Sequence, residues 1–458
     1  WVAKLGSQAY GNAVVAGGKV YVGTNNESPR DPKQEGDRGN LMCFDEKTGE
    51  FLWQLIIPKL GAGKVSDWEY VGLCSSPAVE GDRLWLVTNR GEMVCLDTNG
   101  MANGNDGSYQ DEAKYMQAGD TAVEVTKEHA DILWIYDMRA ELGVFPHNVS
   151  SCSPLIVGDL IYTATSNGVD WSHTNIPAQR APSLVALDKN TGELKGEEIS
   201  GVSKRVLHAS WSSPAYGKAG DKNLIVWGGG DGWAYAYDPV PVMDEDEGVA
   251  ILKEAWRVDC NPASYRAKED GTPIKYATYK GPSEVIGTTV LSEGKAYAII
   301  GQDPEHGDGL GRLNCIDAAT GKVLWTYDDT GRSISTVSVA DGLVYAAEYD
   351  GDLHCIDAAT GKEYWKHETF SRIWGSTLVA DGKVYFAASL WPLMGTFIYC
   401  LDADPGKLVW NNDNTDAVWL PVSHGSPAFH GVAPQGYLAV MGDKLLVPGG
   451  RSVPACLD

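Results

Sequence analysis

The feature that most constrains the fold of this chain is an internal repeat. The segment LNCIDAATGKVLW at Leu313–Trp325 returns forty residues later as LHCIDAATGKEYW at Leu353–Trp365. The other copies are LMCFDEKTGEFLW (Leu41–Trp53), LVALDKNTGELKG (Leu184–Gly196), IYCLDADPGKLVW (Ile398–Trp410), the degraded MVCLDTNG (Met93–Gly100) and WAYAYDP (Trp233–Pro239), and PACLD, which stops at Asp458. Repetition on this scale predicts a repeat protein whose units pack on their neighbours.

Each copy is preceded by a second shared phrase, in which two apolar runs flank a Gly/Asp turn. Examples are SVADGLVYAA at Ser338–Ala347 and LVADGKVYFA at Leu378–Ala387. The runs are short and β-rich, and no helical period of useful length occurs. Each unit is therefore predicted to be a meander of three or four short antiparallel strands.

The repeated D-x-x-T-G phrase has a local structural cause. The Asp carboxylate can accept hydrogen bonds from N–H groups of its own turn, and Gly takes a positive φ that other residues avoid. The Trp four positions after the Gly recurs too regularly to form independent binding sites, so it is predicted to wedge against the neighbouring unit, burying roughly 150–250 Å². The predicted docking residues are Trp1, Trp53, Trp134, Trp256, Trp325, Trp365 and Trp410. Where Gly196 replaces the Trp, a looser seam is expected.

The spacing at the chain ends predicts closure into a ring. Trp1 precedes Gly18 by 17 residues, as Trp325 precedes Gly342, so Trp1 takes the wedge position that the truncated last copy lacks. We predict an all-β fold in one domain, residues 1–458: an eight-bladed β-propeller of four-stranded antiparallel blades, closed by the N-terminal strand in the last blade. The expected blades are residues 8–57, 70–138, 147–199, 207–259, 280–329, 332–369, 372–412, and 420–458 with 1–5.

The A/C-x-D-x-x-T-G-x-x-x-W signature resembles that of the pyrroloquinoline-quinone-like repeat propellers, a family that includes quinoprotein alcohol dehydrogenases and BamB-like proteins. The resemblance covers essentially the whole chain. The stretches NLMCFDEKTGEFLWQL and VFPHNVSSCSPLIVGDLIY are most similar to uncharacterised, planctomycete-type members. The resemblance implies a propeller and a periplasmic or extracellular location, but not a cofactor. Because the sequence begins and stops inside a repeat, we expect it to be part of a longer protein.

Charge and cysteine content narrow the function classes. A formal net charge of -24 argues against nucleic acid and anionic membranes as partners. No run of 18 apolar residues predicts a membrane span. Six of the nine cysteines share one repeat position and are predicted to be small core residues: Cys43, Cys95, Cys315, Cys355, Cys400 and Cys456. Cys74 and Cys152 precede Ser-Pro in neighbouring blades, which leaves a disulfide between them open. Without a C-x-x-C-H motif, no c-type haem attachment is predicted.

Function is expected from loops, because the repeats account only for the ring. Connections between second and third strands and between blades open on one face, and the long insertions are of these two kinds: Asn25–Gly39, Pro58–Val71, Met138–His147, Ser166–Pro182, Asn261–Lys280, Gln302–Gly311, Leu390–Thr396 and Asn411–Val422. The inner strands start at this face, and their first residues are the candidate ligand-binding set: Asn12, Tyr70, His147, Asn148, His208, Trp211, Glu284, Arg332, Arg372, Trp374, Trp419 and His424. Such residues suit an anionic planar ligand or a polar peptide. The alternative is a polar, water-filled channel rim.

An enzymatic alternative follows from the same resemblance. A quinone with carboxylates would need cations such as Arg332 and Arg372, a stacking Trp such as Trp211 or Trp374, and a divalent cation held by Glu284 and Asn148. The chain lacks the adjacent cysteine pair typical of the dehydrogenases, and no inner-strand Asp is a convincing base. His147, His208 and His424 could instead hold zinc or copper, although they belong to blades three, four and eight. No catalytic residue is predicted.

One insertion lies on the opposite face, after the degraded second copy. Its sequence, DTNGMANGNDGSYQDEAKYM, places the oxygen ligands Asp97, Asn99, Asn103, Asn105, Asp106 and Asp111 among glycines. This composition is typical of a calcium loop, although it does not fit the twelve-residue EF-hand frame. The alternative is a solvated acidic loop.

The residues together predict a non-catalytic binding or scaffold propeller outside the cytoplasm, which holds a protein partner or small ligand on its loop-rich face. No cofactor is expected apart from calcium as a candidate ion. Pyrroloquinoline quinone (PQQ) belongs only to the alternative, a PQQ-dependent alcohol dehydrogenase-like oxidoreductase.

Overall fold

The structure is a computed structural model. It describes residues 1–61, 63–120, 122–303, 306–369, 371–373, 375–389, 396–412, 418–421, 427–430, 437–447 and 455–457. Nearly all of its regular structure is β-strand, and the short helices lie in connections. No helix in these ranges is long and apolar enough to cross a membrane.

The first three blades follow one another along the chain as antiparallel meanders. Blade one consists of β1 (Val14–Ala16), β2 (Lys19–Asn25), β3 (Arg38–Asp45) and β4 (Phe51–Pro58). Blade two consists of β5 (Ala78–Glu80), β6 (Arg83–Val87), β7 (Glu92–Asp97) and β8 (Asp131–Asp137). Blade three consists of β9 (Leu155–Val157), β10 (Leu160–Ala164), β11 (Leu184–Asp188) and β12 (Leu194–Glu197).

Blade four contains an inserted hairpin between its third and fourth strands. The strands in chain order are β13 (Ala215–Ala219), β14 (Lys222–Gly228), β15 (Trp233–Tyr237), the hairpin β16 (Val242–Asp244) and β17 (Val249–Ile251), and β18 (Glu254–Asp259). Strands β13, β14, β15 and β18 form the blade. The hairpin instead extends the sheet of blade three, where β17 lies parallel to β12.

The remaining blades repeat the same order. Blades five and six are β19 (Val290–Ser292), β20 (Lys295–Ile299), β21 (Leu313–Asp317), β22 (Val323–Tyr327), β23 (Ser338–Ala340), β24 (Leu343–Ala347), β25 (Asp352–Asp357) and β26 (Glu363–Glu368). Blade seven is β27 (Arg372–Ile373), β28 (Leu378–Ala380), β29 (Lys383–Ser389), β30 (Thr396–Asp402) and β31 (Leu408–Asn412). A two-stranded pair, β32 (Val418–Pro421) and β33 (Pro427–His430), precedes blade eight: β34 (Ala439–Met441), β35 (Lys444–Val447) and β36 (Ala455–Leu457).

Short helices occupy the connections. The α-helices are α1 (Glu112–Met116), α2 (Met138–Leu142) and α3 (Ala263–Arg266), and 3-10 turns lie at Pro32–Gln34, Gly100–Ala102 and Val202–Lys204.

The prediction of an all-β, eight-bladed propeller is confirmed. Residues 1–13 carry no assigned strand, and the described part of blade eight has three, so closure by an N-terminal strand stays a prediction.

The repeated cysteine is explained by its cross-strand partners. In blade six, Cys355 lies opposite Tyr345 on one side and Trp365 on the other. The two aromatic rings meet with centroids 5.9 Å apart, so the position between them has room only for a small side chain. Of the six cysteines at this position, all are buried except Cys456, whose strand ends the described part of its sheet. The prediction of a core position is therefore wrong for Cys456. Cys74 and Cys152 are both free thiols.

The docking tryptophan and the turn glycine prove to be two halves of one contact. The indole of Trp325 lies over Gly361 in the turn of the next blade, where an added Cβ would be 2.6 Å from the ring. Its Nε1–H donates to the Ala358 carbonyl at 3.2 Å. The same pairs are Trp1 with Gly49, Trp53 with Gly100, Trp134 with Gly192, Trp256 with Gly321 and Trp365 with Gly406. Gly is thus required for its missing side chain as well as its positive φ.

The D-x-x-T-G turn is held by hydrogen bonds to its Asp carboxylate, as the sequence predicts. The Asp357 Oδ1 accepts from the backbone N–H of Thr360 at 2.7 Å and from its hydroxyl at 2.7 Å. These bonds hold the pKa of the exposed Asp357 carboxyl below its ordinary value. The turn is a structural element in every well-preserved copy.

The seam at Gly196, which was predicted to be loose, is filled by Pro241 and Leu252. Pro241, which leads into the inserted hairpin, lies where a side chain would be, 2.7 Å from an ideal Cβ at position 196. Leu252, at the other end of the hairpin, is 3.5 Å from the same point and 1 % exposed. The hairpin therefore replaces the indole that this copy lacks.

The described chain divides into two compact units. Unit 1 contains Trp1–Lys204 and Pro241–Leu252, which are blades one to three with the inserted hairpin. Unit 2 contains Arg205–Val240 and the described residues from Lys253 onward, which are blades four to eight. Each unit has its own apolar core, formed between successive blades.

Candidate functional site

The long insertions of each unit emerge at one end of its sheets, because the second-to-third connection and the exit strand of a meander share an end. We call this the loop-bearing end of the unit. In unit 1 it carries Asn25–Gly39, Pro58–Val71, Met138–His147 and Ser166–Pro182, and in unit 2 it carries Asn261–Lys280 and Gln302–Gly311.

Glu284 is a carboxyl at the loop-bearing end of unit 2 whose two oxygens both accept hydrogen bonds. It is fully buried. Its Oε1 accepts from the Ala209 N–H at 2.9 Å, and its Oε2 accepts from the Tyr276 hydroxyl at 2.9 Å. Burial raises the pKa of Glu284 well above its usual range. The two hydrogen bonds of Glu284 link the segments that lead into blades four and five to the Asn261–Lys280 insertion.

Aromatic and imidazole rings surround this acid. The His208 ring contacts Trp211 at 5.0 Å, Tyr276 at 5.6 Å and His306 at 5.4 Å between centroids. His208 is 2 % exposed, and the pKa of the Tyr276 phenol is raised well above its usual range by burial and by Glu284. The rings of Tyr276 and His306 thus pack the Asn261–Lys280 insertion against the Gln302–Gly311 insertion.

Arg332 fastens the same two insertions. Its guanidinium donates to the carbonyls of His306, Gly307 and Asp308 at 3.1–3.3 Å, and also to the Thr278 carbonyl. The residue is 1 % exposed. The cation is therefore used inside the protein, as a tie between Gln302–Gly311 and Asn261–Lys280.

Arg372 differs from Arg332 because it remains half-exposed. Its Nη1 donates to the Tyr349 hydroxyl at 2.6 Å, and the guanidinium lies 4.4 Å from the centre of that ring. Asp308 forms a longer ion pair with it at 3.6 Å. Arg372 is thus the one residue of the predicted cationic pair that reaches the surface of unit 2.

The predicted residues of unit 1 shape backbone turns. Tyr70 and Asn148 both have φ of 58°, a left-handed conformation that is uncommon for residues other than glycine. The Asn148 N–H donates to the Val65 carbonyl at 2.6 Å, and His147 Nδ1 lies 2.6 Å from the Val169 carbonyl. Asn12 donates its backbone N–H to the Ser76 hydroxyl at 2.8 Å. These contacts fix the strand starts to the insertions.

Three of the predicted ligand residues cannot be placed. Trp374 and His424 lie outside the described residues, and for Trp419 the structure describes only the backbone of β32. A site that uses these three residues stays a prediction.

A cavity opens at the loop-bearing end of unit 1. It has a volume of about 440 Å³ and lies between the end of α2 and the Ser166–Pro182 insertion, lined among others by Leu142, Ile176 and Arg180. The same insertion exposes Trp171, which is 61 % accessible. The insertion thus carries an exposed Trp and also contributes Arg180 to the cavity wall, and both residue types are enriched at protein interfaces.

The acidic insertion of blade two brings together some of the predicted ligands and adds one that sequence reasoning missed. Carboxylate oxygens of Asp97, Asp106 and Asp131 lie within 4.8 Å of one another. Of the other predicted ligands, Asn103 stays at the cluster and donates to Asp97. The remaining three have partners outside it: the Asn99 Oδ1 accepts from Lys19, Asn105 donates to Glu112, and the Asp111 carbonyl accepts from the Tyr115 N–H in α1.

The residues of these clusters that the sequence analysis did not predict were missed for one common reason. Tyr276, His306 and Tyr349 at the loop-bearing end, and Asp131 at the opposite end, lie in insertions or at strand ends far in sequence from the residues they contact. No local pattern marks such residues, because only the pairing of strands brings them near their partners. The strand register that places Asp131 opposite Asp97 was the one available signal.

The four-stranded meanders, the docking tryptophans and the turn glycines define the class of protein as a PQQ-repeat β-propeller. The profile of the family described as outer membrane protein assembly factor BamB matches residues 1–206 and 306–453. These ranges make up more than half of the 458 residues, and the chain belongs to this family. The unmatched residues 207–305 contain blade four, the inserted hairpin and Glu284.

Two solved structures show the same fold. The crystal structure of BamB from Moraxella catarrhalis is similar with a TM-score of 0.55 and 13% identity, over 97% of this chain and 93% of that chain. The computationally designed Ika8 protein is similar with a TM-score of 0.53 and 12% identity, over 99% and 98%. No curated protein matches the chain.

Proposed function

We propose that this chain is a non-catalytic binding or scaffold propeller that acts outside the cytoplasm and holds a protein partner on its loop-bearing surfaces. Membership of the BamB family supports this class of function and this location. PQQ-dependent alcohol oxidation is the alternative that the same repeat family supplies.

The observation that carries the proposal is that Arg332 and Glu284 are hydrogen-bonded to other residues of the protein itself. In the enzymatic alternative, Arg332 would bind a cofactor carboxylate and Glu284 a divalent cation. Instead, the Arg332 guanidinium donates to four backbone carbonyls, and Glu284 is a buried acid bonded to Ala209 and Tyr276. Both groups hold insertions in place, which favours a rigid recognition surface over a cofactor site.

The surface on unit 1 is the candidate contact point for a partner. Trp171 is exposed on the insertion that lines the 440 Å³ cavity, and Arg180 adds a cation to its wall. Trp and Arg are enriched among residues that dominate the energy of protein interfaces. A partner segment with an apolar side chain for the cavity and a carboxylate for Arg180 would fit these groups.

Affinity capture from the native source tests the binding function. Four proteins are immobilised separately: the wild type, Trp171→Ala, Arg180→Ala and the control Met243→Ala. Met243 is 67 % exposed, which is similar to the 61 % of Trp171, but it lies on the inserted hairpin. We expect a protein that is retained by the wild type and by Met243→Ala but lost with Trp171→Ala. Retention of the same proteins by all four would contradict the proposal for this surface.

A quinone titration tests the alternative. PQQ is added at constant saturating calcium, and its absorbance, the melting temperature and alcohol-dependent reduction of an artificial acceptor are followed. We expect none of the three to change. Stoichiometric quinone binding with acceptor reduction would establish the dehydrogenase instead.

A further inference from the structure

The insertion of blade two packs across the seam between blades one and two. Residues 98–130 leave β7 and return to β8, and on the way Met116 and Ala130 enter the core of the seam. The Arg38 guanidinium donates to the Met116 carbonyl at 3.2 Å, and Gln54 exchanges backbone hydrogen bonds with Glu128 and Ala130 at 3.0 and 2.9 Å. Anything that fixes this insertion therefore stabilises the seam.

Three carboxylates meet where the insertion leaves and rejoins the sheet. Asp97 ends β7, Asp131 starts β8 directly opposite it, and Asp106 reaches them from the insertion. The Asp106 N–H donates to Asp131 Oδ2 at 3.0 Å, which fixes the chain of the insertion against the strand. One oxygen from each residue falls within 4.8 Å of the others.

The negative charge of this cluster has no compensating cation among the described residues. No Lys, Arg or His of those residues forms an ion pair with Asp97, Asp106 or Asp131. Lys19, the nearby ammonium, donates to the Asn99 amide instead, at 2.9 Å.

Asp131 supplies a second, independent observation that points to a bound cation. The residue is 0 % exposed, and its Oδ1 has no hydrogen-bond partner among the described residues. A buried, unpaired carboxylate oxygen is costly, and such groups in proteins are normally paired or coordinate a metal. A charged cluster on a solvated loop would leave its oxygens to water, whereas this oxygen is sealed from it.

We propose that Asp97, Asp106 and Asp131 bind a calcium ion that ties the blade-two insertion to its sheet. Oxygen ligands at flexible spacing, several of them carboxylates, suit calcium, while magnesium demands a more regular octahedron. The site lies away from the loop-bearing ends, so it is separate from the proposed partner surface and goes beyond the proposed binding function.

Calcium binding by the whole chain tests the proposal directly. The protein is stripped with EDTA and dialysed, and calcium alone is titrated by calorimetry with melting temperature followed in parallel. We expect one tight site and a rise in the melting temperature of roughly 2–4 °C at about 100 times the dissociation constant. Magnesium at the same concentration should give a smaller rise.

Variants separate a built site from general acidity. Asp131→Asn and Asp106→Asn should each weaken calcium binding at least about tenfold, while Asp120→Asn, an exposed Asp of the same insertion outside the cluster, should leave it within about twofold. In EDTA, Asp131→Asn should melt no lower than the wild type, because it removes repulsion, so that loss of folding does not explain the result. Asp106 is exposed, which makes its variant the safeguard if Asp131→Asn misfolds.

Limited proteolysis gives a second readout. Lys114 and Lys127 lie exposed in the insertion, and calcium should protect both from trypsin in the wild type but not in Asp106→Asn. The proposal is overturned if calcium changes neither melting temperature nor cleavage, or if Asp120→Asn weakens binding as much as Asp131→Asn. Failure here leaves the capture experiment with Trp171→Ala unaffected, so the two proposals fail separately.

Discussion

Replacing Trp53 tests the docking contact quantitatively, because this indole is the most deeply buried of the set that the repeat defines. The residue is 1 % exposed, its ring lies 2.8 Å from where a Cβ on Gly100 would be, and its Nε1–H donates to the Thr98 carbonyl at 3.0 Å. Trp53→Ala removes the ring and leaves a cavity between blades one and two, and such truncations cost about 3–5 kcal/mol. Trp53→Phe keeps most of the ring but leaves the buried Thr98 carbonyl without its donor, at a cost of about 1–3 kcal/mol.

The measurement is equilibrium unfolding in guanidinium chloride, followed by circular dichroism so that the lost indole does not alter the signal. Trp171→Ala is the matched control, because an indole that is 61 % exposed should change the free energy of unfolding by no more than about 0.5 kcal/mol. The reasoning is refuted if Trp53→Ala costs less than about 1 kcal/mol, or if Trp53→Phe is as stable as the wild type.

Two further predictions concern the seam of blade three and the buried acid of unit 2. Gly196→Trp, which restores the repeat consensus, should destabilise the protein by about 1–3 kcal/mol because Pro241 lies 2.7 Å from the new Cβ, and Pro241→Gly should recover part of the loss in a double-mutant cycle measured by urea unfolding. For Glu284, the raised pKa means that its own contribution to stability is fully present below the ordinary pKa of 4.5 and is lost progressively as pH rises above that value. Glu284→Gln should therefore gain stability relative to the wild type between pH 4.5 and 7.5. An unchanged difference between the two proteins at both pH values would contradict this sign.

The fold could be predicted from the sequence because its determinants are local and repeated. Each Asp357-type turn is held by atoms three residues apart, and each Trp325-type wedge recurs at a fixed distance from its turn. The candidate site could be predicted only in outline. The repeat places Glu284 and Arg332 at the starts of inner strands. It does not indicate that Glu284 accepts a hydrogen bond from Tyr276, or that Arg332 donates to backbone carbonyls of two insertions. Such partners are set by the tertiary path of irregular segments, for which the sequence offers no period.

Departures from the repeat are more informative than the repeat itself. At Gly196 the missing indole coincides with a hairpin from a distant part of the chain, whose Pro241 and Leu252 occupy the space. In blade two the degraded copy keeps Gly100 as the seat for Trp53, but its turn aspartate, Asp97, faces Asp106 and Asp131 instead of serving only its own turn. In both places an inserted segment packs against a copy of the repeat in which a consensus residue is missing or has changed its partner. A copy that keeps its docking glycine while its aspartate gains new acidic neighbours has retained its structural role and acquired a second one, which is why the blade-two insertion is the place to look for a bound ion.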